Sequence, residues 1–463
     1  MFIFVLMALI AGVSIASGFA IKAYTDQAGT QASITKTELL IGALAILFIV
    51  TPLTVYTGYT IAKQNRARYT QMFNGYEQEA KVYETTCHRD GSCYWDYDCD
   101  PYLVTVQDPS TCDSKGNCTS HSHTEVRYHQ CPYVDKEYAY DVETTLGEYT
   151  FASHRFPFDP ESHRWRSYES IPNSVINRAG VGPTPAWLAV QARVDSGNPG
   201  PVTALRDYDN YILPSQHTTL KMWSGEAKHL DSLGLLPHLT TEIVGYYDAD
   251  KVLGKNVNVS GWSWRLAYLN SVVGPTVMGD VRLVLVRLPS TVDKDAYTNA
   301  LLAHWQDEEK YGRLALPKNA IIFVVGTDDG QTVSWARAAT GMPLGNEALI
   351  ATARTAFTGK PINADSIIGN TRWKVEAGKI HAVTGRGVIE TLVFGLQNPD
   401  TKFTRIRMSS FLYLKGELQP TGWGWFWTGF VSLLASCCVW VVALFVGERP
   451  RARSYGSRYS YPY

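Results

Sequence analysis

Six of the eight cysteines fall in one short stretch, at Cys87, Cys93, Cys99, Cys112, Cys118 and Cys131. Their spacing is Cys-x5-Cys-x5-Cys, then Cys-x5-Cys. Paired zinc ligands usually sit closer together. An even, clustered set of thiols is the pattern of a disulfide framework, which forms and persists in an oxidising compartment. Connectivity does not follow from spacing. His88, His121, His123 and His129 are interleaved with the cysteines. On a strand, His121 and His123 point to one face. An extracytoplasmic metal-binding module at His121, His123 and His129 is therefore the alternative to the disulfide reading.

Other chemistry is thin. The chain has no Walker A motif and no Gly-x-Ser-x-Gly, so no catalytic residue is assigned. Thr384-Gly385-Arg386-Gly387 reads as a turn rather than a phosphate loop. Asp248 and Asp250 would share a face of a strand, but no third ligand accompanies them. Asp280 stands alone, as do His304 and His381, and Asp307-Glu308-Glu309 reads as a solvated helix end. The net charge of −1 and the lack of a basic stripe exclude a nucleic-acid partner. Asn117-Cys118-Thr119 and Asn258-Val259-Ser260 are sequons.

Three apolar segments determine where these residues can stand. Residues 1–23, 39–62 and 423–446 are each long and uncharged enough to span a bilayer. Trp423, Trp425, Phe426 and Trp427 open the third, as interfacial aromatics do. The first lacks the basic start and small-residue site of a cleaved signal, so it reads as a retained span. Arg449, Arg451, Arg453 and Arg458 follow the third span and place the C-terminus in the cytoplasm. The large domain is then extracytoplasmic, in agreement with the cysteines. Lys63, Arg66 and Arg68, after the second span, pull the other way.

The outer domain divides by texture. Residues 63–86 begin polar and helical, with Tyr76, Ala80 and Tyr83 near helical spacing. Residues 70–150 form a Cys-rich β module, on alternations such as Tyr138-Tyr140-Val142. A mixed α/β segment, 151–261, includes helices at Pro185–Val194 and Ser215–Leu233. From Trp264 onward strands alternate with helices, as in an α/β layer. The expected elements are a helix to Val273, a strand Val281–Leu288, a helix Asp295–Glu309, strands Ala320–Val325 and Thr332–Ala338, and a helix Gly345–Phe357 capped by Asn346. Strands at Val388–Phe394 and Phe403–Leu414 close the domain. A basic, Tyr-rich tail, 447–463, is assigned to the cytoplasm.

The block 262–360 resembles the TPM domain family of thylakoid, bacterial and nematode membrane-anchored proteins. Four features carry the resemblance: the strand Val281–Val286, the helix Tyr297-x3-Leu301-x3-Trp305, Asn319 followed by Ala320–Val325, and the turn Asp328-Asp329-Gly330 with its return to Gly341. The resemblance implies an α/β TPM-like domain over 262–417 and, in some members, calcium binding and phosphatase activity at acidic loops. Here Lys318-Asn319-Ala320 and Thr340-Gly341-Met342 replace the family's Asp-Asn-Gly and Gly-x-Gly. Asp328 and Asp329 are the carboxylates left for a metal, with calcium the ion implied.

Together these observations imply an α+β membrane protein with three transmembrane helices, a disulfide-rich antiparallel β module and an α/β TPM-like domain. Its expected role is to display that domain for assembly or partner binding. The expected partners are membrane lipid and either further copies of the chain or another membrane protein. A metal-dependent phosphohydrolase of the TPM type is the alternative.

Overall fold

The computed structural model describes residues 2–28, 34–85, 94–108, 111–112, 118–119, 122–134, 137–152, 158–159, 164–165, 185–213, 221–239, 251–341, 344–376, 379–383 and 385–447. Three helices, Phe2–Gln27, Lys36–Ala67 and Gly422–Phe445, are long and apolar enough to cross a membrane. Hydroxyls and glycines hold the bundle together. The Trp440 indole sits where a Cβ on Gly18 or Gly42 would overlap it, and its Nε1–H donates to the Ser14 carbonyl at 2.6 Å. Thr51 and Ser436 share a buried hydrogen bond of 3.1 Å. Small residues of this kind let helix backbones approach where lipid offers no hydrophobic drive. The second span begins at a capping box of Thr35 and Glu38 and carries a π-turn at Ile46–Val50. Pro52 follows, and its missing N–H and ring force the ladder to adjust there.

The second span runs straight into a strand. The helix ends at Ala67, and β1 (Arg68–Thr85) continues without a loop. The first half of the domain in chain order contains β2 (Tyr94–Gln107), β3 (Thr111–Cys112), β4 (Cys118–Thr119), β5 (Ser122–Val134), β6 (Glu137–Thr144), β7 (Gly147–Ala152), β8 (Phe158–Asp159), β9 (Arg164–Trp165) and β10 (Pro201–Asp209). An antiparallel sheet forms in the order β10-β1-β6-β7. β1 pairs with β10 from Arg68 to Tyr76 and with β6 from Glu77 to Thr85. It is the spine of this sheet and continues directly from the second apolar helix. The helical reading of 63–86 is therefore wrong beyond Ala67. Gln71 and Glu77 are buried on one face of β1 and Asn74 on the other, and these buried polar positions hide the apolar alternation that marks a strand.

The second sheet has the order β11-β12-β13-β14, made of Val252–Lys255, Asp280–Val286, Ala320–Gly326 and Trp335–Thr340. The first three strands are parallel and β14 is antiparallel. Every residue of β12 and β13 is buried, because helices cover both faces. Leu266 and Leu269 of helix Trp262–Val277, with Leu349 and Ile389, pack on one face. Tyr297, Leu301 and Trp305 of helix Lys294–Trp305, with Leu230, pack on the other. β10 and β11, both from the segment read as separate, belong to these two sheets.

Four expected elements need correction. Val388–Val393 is a helix, not a strand: a short apolar run cannot tell the two apart by period, and the Gly387 N–H is capped by the Glu390 carboxylate at 3.4 Å. Met408–Gly416 is a 3-10 helix, where a strand was expected over Phe403–Leu414. The strand at Thr332 starts only at Trp335, because Thr332 bridges to Pro361 instead. The helix over Ser215–Leu233 spans Ser224–Ser232, with 214–220 outside the described residues. Asn346 does sit at the N-cap position, but its amide Oδ1 accepts from the Thr404 N–H at 2.9 Å rather than capping the helix.

Candidate functional site at the membrane junction

An opening of about 1400 Å³ lies where the large domain meets the second and third apolar helices. Arg66 enters from the end of the second span, Tyr69 from β1, Asp231 from helix Ser224–Ser232, His304 from helix Lys294–Trp305, and Trp423 from the third span. The Tyr69 hydroxyl donates to Glu308 at 2.6 Å. Arg66 lies 3.6 Å from the same carboxylate and donates to the Gln419 carbonyl at 2.8 Å. One arginine thus ties the second span, the 308–311 turn and the approach to the third span. Burial and the neighbouring Glu308 charge push the Tyr69 phenol well above its usual range.

A charged knot stands in this chamber. His304 Nε2 lies 3.1 Å from Lys310 Nζ and 3.3 Å from the Tyr311 hydroxyl. Lys310 reaches Asp231 at 3.4 Å, and His304 Nδ1 lies 3.9 Å from the same carboxylate. Burial, then the Lys310 charge, lower the His304 pKa from its ordinary value, so the ring is neutral near pH 7 and Nε2 accepts. Ligand atoms of Asp231, His238 and His304 lie within 4.8 Å of one another, a set that suits a metal ion by donor type. The Lys310 ammonium already occupies the cationic role between Asp231 and His304. Lys310 thus bridges Asp231 and His304 by hydrogen bonds. His304 was read as isolated, and no spacing motif links it to Asp231.

The carboxylates singled out by the TPM resemblance are used locally. Asp329 accepts from the N–H of Gln331 at 2.8 Å and of Thr332 at 2.9 Å, and from the hydroxyls of Thr332 and Thr327. These donors hold its carboxyl far below the usual carboxylate range. It orders its own turn, as Asp does in such loops, and Gly330 supplies the positive φ of +80°. Asp328 donates its N–H to Ser334 Oγ at 3.1 Å. Among the described residues, neither cluster of potential metal ligands includes Asp328 or Asp329.

β2 and β5 form a two-stranded ribbon, bridged by a Cys99–Cys131 disulfide with Cα atoms 5.8 Å apart. Cys87 and Cys93 lie outside the described residues. Cys112 and Cys118 face each other in the β3–β4 ladder, their side chains likewise outside the description. His121 is also outside it. His123 pairs with Asp108 at 2.7 Å, while His129 stacks on Tyr102 at 4.5 Å. The two histidines are separated along β5 by about 20 Å at a strand's rise per residue, too far to share a ligand shell.

Asp280, which looked solitary, is the centre of a buried network. Lys251 donates to it at 2.7 Å, Arg282 at 3.1 Å and the Asn74 amide at 2.8 Å. Burial pushes its pKa up, but Lys251 and Arg282 outweigh that and hold it below the ordinary value. This network joins β1 to β11 and β12 and is a lock between the two sheets. Asp248 and Asp250 lie outside the described residues. Comparison with known protein families, with curated proteins and with solved structures finds no match.

Proposed function

We infer that this chain is a membrane-anchored docking protein whose ribbon binds a protein partner on the extracytoplasmic side. The ribbon carries this reading. Its strands have 14 and 13 residues, about 45 Å at a strand's rise per residue. All residues from Ser122 to Gln130 are exposed, and so are Tyr102, Leu103, Val126 and Tyr128. A two-stranded ribbon is marginally stable in water; among the described residues neither strand pairs with a third, and such edges offer backbone groups to another chain. A docked partner completes both. That partner is a second copy of this chain or a neighbour in the same membrane.

Orientation follows from chemistry. The Cys99–Cys131 bridge belongs to an oxidising compartment, and the arginines after the third span favour the cytoplasm. The opposing charges are spoken for by protein partners: Arg66 by Glu308, and Arg68 by Asp207 at 2.8 Å. Lys63 lies over the Tyr59 ring. The TPM-like reading of 262–417 is supported by the order of helix, strand, helix and two strands from Trp262 to Thr340. A photocrosslinking residue at Leu103 tests the function. Capture of one defined protein supports docking, and the absence of any adduct in the native membrane contradicts it.

A further inference from the structure

A second cavity, about 650 Å³, runs between the second and third spans. Gly58, Ile61 and Ala62 line it from one helix, and Trp427, Thr428 and Val431 from the other. Its walls are mainly apolar, with the threonines Thr54, Thr57 and Thr428 among them, and both flanking helices are long and apolar enough to span a membrane. Beside it the helices approach closely, where a Cβ on Gly58 would press on Thr428 and one on Gly424 would press on Ala62. At its outer end it shares Arg66, Thr421 and Trp423 with the polar chamber of the membrane junction. One path therefore runs from bilayer depth, past an arginine and a tryptophan, into a charged vestibule. Such a path matches an acyl chain below and a headgroup above.

The vestibule selects the headgroup by sign. Four Lys or Arg and four Asp or Glu line it. Glu308 is matched by Arg66, and Asp231 by Lys310. Lys221, Lys228, Asp307 and Glu309 add two charges of each sign to the wall. A wholly anionic headgroup would meet the carboxylates, and a wholly cationic one the ammonium groups. A zwitterion, with phosphate toward Lys228 and its own amine toward Glu309, is complementary to both.

We propose that the groove between the second and third spans, with the chamber above it, is a binding site for one zwitterionic phospholipid. It holds an acyl chain along Gly58, Ile61 and Val431 and the headgroup beside Arg66 and Lys228. This site is independent of the ribbon.

The test is native mass spectrometry of the full chain in detergent, titrated separately with phosphatidylethanolamine, phosphatidylglycerol and diacylglycerol. The expected result is one phosphatidylethanolamine per chain, bound at least about tenfold more tightly than the other two. Val431→Trp fills the groove with a residue that lipid tolerates. It should weaken phosphatidylethanolamine binding by about tenfold or more and leave the elution profile unchanged. Lys228→Glu should weaken the same lipid from the chamber side, and Leu53→Trp on the lipid-facing surface of the second span should leave binding intact. Preference for phosphatidylglycerol, equal binding of diacylglycerol, or unaltered binding in a folded Val431→Trp chain would overturn the assignment.

Discussion

Leu103 and Val126 are cross-strand partners on the ribbon, and both side chains are exposed, by 71% and 50%. A directly opposed apolar pair normally faces a core. Here it faces outward on a ribbon that, among the described residues, pairs with no third strand. Leu103→Lys with Val126→Glu, an opposite-charge pair across the strands, should leave the fold in place, since exposed substitutions of this kind change stability by only about 0.5 kcal/mol. The same variant should lose its crosslinked partner in the native membrane. Thermal unfolding beside crosslinking yield separates the two effects, and retention of the adduct at full yield would refute a docking role for this face.

The Cys99–Cys131 bridge closes a loop with a sequence separation of 32. Chain-entropy arguments give a bridge of this span about 3 to 4 kcal/mol. The ribbon should bear that loss locally. In Cys99→Ser with Cys131→Ser, hydrogen exchange over residues 94–134 should accelerate, while β12 and β13 keep their protection. Uniform acceleration across both sheets would show that the bridge supports the whole domain instead.

Asp280 is buried beside two cations, so Asp280→Asn leaves Lys251 and Arg282 without their counter-charge. Breaking a buried pair from one side costs about 3 to 5 kcal/mol, and the thermal midpoint should fall accordingly. The pH dependence has a definite sign. The folded pKa lies below the ordinary 3.8, so the contribution is complete above that value and is lost as pH falls through the depressed folded pKa. The Asn variant should lack this acid-side decline. A wild-type midpoint flat with pH through that range would contradict the network.

His304 should titrate below its ordinary value of 6.5. Because its folded pKa is lowered, its stabilising contribution is present above the ordinary value and declines as pH falls through the folded one. Lys310→Met removes a positive neighbour and should raise the midpoint, though burial remains. Asp231→Asn should lower it. Histidine-selective NMR reads these shifts, and an unmoved midpoint in both variants would dissolve the knot.

Legibility followed locality. The spans were readable to within a few residues, because hydropathy is a property of a single window. β12 and β13 were readable because they are buried on both faces and need no alternation. β1 was missed because Gln71, Asn74 and Glu77 place buried polar groups on both of its faces, a pattern set by partners on other strands. The helix Val388–Val393 was misread because its capping carboxylate is also a buried residue of its own run. The Asp231–His304–Lys310 knot was invisible because its members belong to separate elements that only tertiary packing brings together.

The most direct test is chemical crosslinking in the native membrane, followed by blue native electrophoresis and mass spectrometry of the adducts. The docking account predicts a discrete assembly larger than one chain, with crosslinks mapping to residues 94–134. A lone monomer, or adducts confined to the spans and absent from the ribbon, would contradict it.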